Sequence, residues 1–70
     1  MTDLETAILD ILRHARPSAL TLTDLHTKLV ERGWDVRVII PRHITDACIV
    51  LDEAGLVRNE LAWHALETKP

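Results

Sequence analysis

Near the start of the chain, apolar residues return at spacings of three and four: Leu4, Ala7, Ile8, Ile11, Leu12 and Ala15. That spacing puts them on one face of a helix. Thr2 precedes the run with Glu5 three residues on, a reciprocal pair in which each side chain accepts the other's free backbone N–H. Arg16-Pro17-Ser18 closes it, since proline disfavours helical backbone in the residue before it and has no N–H to donate. The pattern predicts helix 1 over about residues 3–15, then a very short extended piece at Leu20-Thr21.

Thr21-Leu22-Thr23-Asp24 is a second start signal, with Thr21 as cap and the Asp24 carboxylate near the positive end of the helix dipole. Leu22, Leu25, Leu29 and Val30 form its buried stripe, and Gly33 supplies a left-handed stop, so helix 2 is predicted over about 22–32. Its other face carries His26, Lys28 and Arg32. From Trp34 to Ile40 the β-branched Val36, Val38, Ile39 and Ile40 disfavour helix, and a turn or short strand is expected. Pro41 suits the first position of a third helix, where a missing N–H costs nothing. Ile44, Ala47, Cys48 and Leu51 have core spacing and Gly55 ends the run, predicting helix 3 over about 41–54. Its outward residues are Arg42, His43, Thr45, Asp46 and Ile49, with Val50 beside them. Beyond Gly55 the pattern turns extended, with Leu56-Val57-Arg58, then Asn59-Glu60 at the tip, then Leu61 to Leu66. This predicts a β-hairpin over about 56–66 whose tip lacks the glycine that two-residue turns favour. Residues 67–70 read as a frayed tail.

Seventy residues hold one domain, 1–70, and one core. A chain this short buries only about 60% of its unfolded surface, so its stability is marginal and dimerisation would add to it. No stretch approaches the roughly twenty apolar residues that span a membrane, and no membrane partner is expected. The opening Met-Thr-Asp-Leu-Glu is acidic where a secretory signal is basic and then apolar, pointing to a cytoplasmic protein. Met1 and Pro70 read as the ends of a complete chain. The lone Cys48 forms no internal disulfide and reads as a small buried hydrophobe. The net charge of -3 opposes nucleic-acid binding, which depends on Lys and Arg neutralising phosphates, but its distribution tempers that. Residues 13–43 carry six bases against three acids, while both flanks are acidic. A basic middle between acidic ends is a polarised surface, and local potential governs partners more than net charge does.

Three helices, a short strand between the first two and a terminal hairpin resemble the element order of winged helix-turn-helix proteins. Leu20-Thr21-Leu22-Thr23-Asp24-Leu25-His26 looks like the capped start of that superfamily's second helix. Leu51-Asp52-Glu53-Ala54-Gly55-Leu56-Val57 looks like the end of its recognition helix running into the wing. Over about residues 7–58 the chain is most similar to the DNA-binding half of ferric-uptake-regulator-type repressors. It departs from them in a connection between helices 2 and 3 about three residues longer, a short wing with Glu60 near its tip, and no metal-binding dimerisation half. The expected fold is therefore mostly α with a small β-hairpin, a winged helix-turn-helix of three helices and a short wing.

The resemblance implies a DNA-binding transcriptional regulator, bound to double-stranded DNA as a homodimer with its two helices 3 in major grooves about 34 Å apart. Arg42, His43, Thr45 and Asp46 then face base edges, Lys28, Arg32 and Arg37 anchor phosphates, and Arg58 approaches the backbone from the wing. Asp46 would repel phosphate, and Ile49 would find little there beyond a thymine methyl. The alternative is a protein-interaction module, an adaptor or inhibitor that binds no DNA and docks through Trp34, Ile39, Ile40, Ile49 and Val50, apolar residues in excess of what so small a core holds. Both tryptophans, Trp34 and Trp63, also suit the core of a chain with no Phe or Tyr. The four histidines lack the helical spacing of three or four that metal sites use, so no metal or other cofactor is expected. No triad order, nucleophile elbow or glycine-rich phosphate loop is present, and no enzyme activity is expected.

Overall fold

A computed structural model describes residues 2–60 and 62–66. It holds α1 (Asp3–Ala15), α2 (Leu22–Glu31), α3 (Pro41–Glu53), β1 (Val57–Glu60) and β2 (Ala62–Ala65). The fold is mostly helical with a two-stranded antiparallel hairpin, an arrangement compatible with a winged helix-turn-helix.

Local chemistry accounts for the helix ends. At α1 the Thr2 hydroxyl accepts the Glu5 N–H and Glu5 Oε1 accepts the Thr2 N–H, both at 3.2 Å. Thr21 and Asp24 repeat the exchange at α2, both at 3.1 Å. Each box satisfies two backbone donors that the first helical turn leaves free. Arg16 leaves α1 at ψ 142°, the extended backbone that a following proline imposes. The ends of α2 and α3 share one design. Gly33 (φ +94°) donates to the Val30 carbonyl and Trp34 to that of Leu29, while Gly55 (φ +78°) donates to Asp52 and Leu56 to Leu51. This is the paired closure that needs a left-handed residue, hence glycine, and the residue after each glycine folds back onto the core. Helix 2 ends at Glu31 with Arg32 as its cap, and helix 3 at Glu53 with Ala54 as its cap, one residue short of each predicted end.

One core joins all elements. Ile8, Leu12, Leu25, Leu29, Ile39, Ile44, Cys48, Leu51 and Val57 are fully enclosed, with Leu9, Ile11, Ala47, Trp63 and Ala65 nearly so. Helix α1 touches both other helices and β2, so its buried arc is wider than the predicted stripe and takes in Leu9. Val30, assigned to the α2 stripe, is instead exposed.

The extended piece at Leu20 pairs with Trp63 through reciprocal backbone bonds of 2.7 and 2.8 Å, fastening the hairpin to the α1–α2 connection. Val57 pairs with Ala65, Asn59 with Trp63 and Glu60 with Ala62. Asn59-Glu60 is therefore part of β1 and not the hairpin tip. Register follows the inward set Val57, Trp63 and Ala65, and a slip would turn these outward. The polarity of Asn59-Glu60 carried less weight. The tail at 67–70 lies outside the described residues.

Residues 34–40 resolve as a turn and not a strand. Asp35 organises it: its carbonyl accepts the Val38 N–H at 2.9 Å and its carboxylate accepts the Arg37 N–H at 2.8 Å. Ile39 turns inward and is 0% exposed, so its place among the interface candidates is corrected to core. Trp34, another of those candidates, is half-buried against the core as the second residue of the α2 closure.

Candidate interaction surface

The outward face of α3 follows from its inward one. With Ile44, Ala47, Cys48 and Leu51 buried, a period of about 3.6 residues sends Arg42, Asp46, Ile49 and Glu53 out along one stripe. Val50 and His43 flank it on one side, Thr45 and Asp52 on the other. Ile49 and Val50 are 43% and 47% exposed, and Val36, Val38 and Ile40, in the turn before the helix, are exposed too. Nδ1 of His43 lies 2.8 Å from the Val38 carbonyl and ties that turn to the first turn of α3. His43 thereby fixes the turn, with its exposed Val36, Val38 and Ile40, against the start of the helix.

The structure distributes the proposed DNA contacts differently. Lys28 and Arg32 face α1, lining with His14, Ile11, Ala15 and Leu20 a cleft of about 240 Å³ between the two helices. Arg32 donates to Asp10 Oδ2 at 2.6 Å, and Lys28 stands 3.8 Å from Glu31. That hydrogen bond from Arg32 chiefly holds the Asp10 carboxyl below the usual carboxylate range. Arg37 closes on Asp35 through its Nε and Nη2, at 3.2 and 2.9 Å, which lowers the carboxyl and raises the guanidinium from their ordinary values. His43 is engaged with Val38, and Thr45 is half-buried. Arg42 and Asp46 are exposed on α3, and Arg58 is exposed on β1, in register with His64. Arg42 has no ion-pair partner among the described residues. The eight candidates thus fall on three separate supports: the α1–α2 cleft, the turn with α3, and the hairpin.

Of the five apolar candidates, Ile40, Ile49 and Val50 are exposed as expected. Sequence reasoning missed Val36 and Val38, exposed at 52% and 54%. Their alternation with the inward Ile39 was not readable because residues 34–40 form a turn, which has no fixed side-chain period. Burial pushes the Cys48 thiol up to about 12, so it is a neutral filler on the inward face of α3. Among the described residues no three His, Cys, Asp or Glu side chains gather as metal ligands, and no helix is long and apolar enough to cross a membrane. No family model, curated protein or solved structure matches the chain.

Proposed function

We propose that this chain is a winged-helix protein-interaction module that docks through the outward face of α3 and the turn before it. The observation carrying this reading is the stripe Arg42, Asp46, Ile49, Glu53 with Val50 alongside. Seated in a major groove, it would set two carboxylates against a polyanion for one guanidinium, and its β-branched side chains would find few apolar groups to cover. Three bases that a DNA reader would use, Arg32, Arg37 and Lys28, already lie beside acids of the same chain. Against a protein, the same face offers an apolar centre with a charged rim, the composition of interface patches.

The test places a photo-crosslinking residue at Val50 and, in parallel, titrates random-sequence duplex DNA at low salt with fluorescence anisotropy. Adducts to protein, lost on Ile49→Asp, together with flat anisotropy, are the expected result. Salt-sensitive DNA binding that Arg42→Ala weakens would restore the regulator reading with α3 in the groove.

A further inference from the structure

The charges of α3 run against its own dipole. A helix is partly positive at its N-terminus and partly negative at its C-terminus, so acids favour the first turn and bases the last. Helices α1 and α2 obey this, with Asp3, Glu5 and Asp24 in their first turns and Arg13, His14 and Lys28 in their last. Helix α3 has no acid in its first turn and no base in its last. Arg42 and His43 stand at the start, Asp52 and Glu53 at the end, and Ile40 at the cap position gives no side-chain bond. For an isolated helix every one of these choices is unfavourable.

The charges become favourable beside a second helix lying antiparallel, whose acidic last turn covers the basic first turn and whose basic first turn covers the acidic last. We infer that the surface partner of α3 is α3 of a second copy of this chain, paired antiparallel about a twofold axis midway between Arg42 and Glu53. This rests on the interaction reading above and names its partner. About that axis Arg42 of each copy comes level with Glu53 of the other, so two like ion pairs close the two ends, as a twofold interface requires. Each also supplies the charge that the adjacent helix end lacks. At a rise of 1.5 Å per residue, the two copies of Ile49 lie about 4–5 Å apart along the axis and meet at the centre. Asp46 stands level with the other copy's Ile49, and the same rise brings the two copies of Asp46 about 4–5 Å apart along the axis, a like-charge contact that the Arg42 one turn before each of them offsets. Val50 widens the apolar centre on one flank, and Val38 and Ile40 extend the surface past the start of the helix. Opposite charge along a self-complementary stripe is what singles out a second copy: a parallel approach would set base on base and acid on acid.

The experiment is sedimentation equilibrium across about 1 µM to 1 mM, the span in which so small an interface associates. The wild-type chain is expected to dimerise. Arg42→Glu alone makes both ends of the stripe acidic and Glu53→Arg alone makes both basic, and each should weaken self-association at least about tenfold. Mixing these two variants should restore a dimer, now a heterodimer, and the double variant R42E/E53R should self-associate again. Both single changes place the favourable charge at a helix end, so helix content by circular dichroism should hold and unfolding cannot mimic the loss. A chain monomeric throughout this range, a mixture that fails to pair, or a dimer indifferent to Ile49→Asp overturns the inference. A monomer whose Val50 crosslinker still captures a different protein overturns it alone. A monomer that crosslinks duplex DNA overturns the interaction reading with it.

Discussion

Helices α1 and α3 are equal in length, thirteen residues each, and both bury a four-residue set in the same core, yet their polar residues serve opposite ends. In α1 the polar positions stabilise the helix itself: a complete capping box, acids first, bases last, and Asp10 holding Arg32 of its neighbour. In α3 the start is uncapped by any side chain, the charges are reversed, and Ile49 and Val50 are left in solvent. The stability of α3 comes from its inward face and the paired closure at Gly55. Its outward face follows none of the local rules that shape α1, and the association proposed above would account for Arg42, Ile49, Val50 and Glu53. The local rules hold in two helices and are broken on one side of the third, and it is on that side that the proposed interaction surface lies.

The contrast can be broken most severely from within. Leu12→Ala empties a fully buried position on the helix that touches both others, and a loss of about 2–5 kcal/mol is expected, most of what a domain of this size has. Urea unfolding should show the transition move to much lower denaturant or vanish. Removing a cap tests the local half of the comparison. Thr21→Ala should cost about 1 kcal/mol, while Ile40→Ser, which gives α3 the cap it lacks, should stabilise by up to about 1 kcal/mol and, because it removes an exposed apolar side chain of the proposed surface, weaken association at the same time.

On the inward face of α3, Cys48 is held neutral up to about 12 against an ordinary 9.0. Its stabilising effect is complete below the unfolded value and is lost as pH rises from there toward the folded one. Thiol modification at pH 8 should accordingly be slow in the folded chain and rapid once urea unfolds it. The smallest effect belongs to the α1 surface. Asp10 is depressed chiefly by its bond from Arg32, so the contribution of the pair is present above the ordinary 3.8 and fades as pH falls through the lower folded value. Arg32→Gln should flatten the acid limb of the stability profile slightly and leave its neutral region almost unchanged.

Much of this fold was legible because it was written in neighbouring residues. Thr2 with Glu5, Thr21 with Asp24, Pro41, Gly33 and Gly55 each act within one or two turns, and all five signals stand where the helices begin and end. The α3 core was equally plain, since Ile44, Ala47, Cys48 and Leu51 obey one period. The candidate site was legible only in part. Arg42, Asp46, Ile49 and Val50 could be placed outward from the helical period, but the partners of Arg32 and Arg37, and the fate of 34–40, could not.

What the sequence determined by itself, then, is the three helices, their ends to within a residue and the greater part of the faces they bury, because capping and periodicity act over distances shorter than a helix. Only the tertiary structure decided which way Ile39 turns, that β1 runs on through Asn59 and Glu60, that Leu9 is enclosed, and that Arg32 reaches Asp10 across 22 positions. Each depends on which surface another element presents. A turn residue, a strand register or a long side chain follows that surface, whereas a helix follows its own repeat.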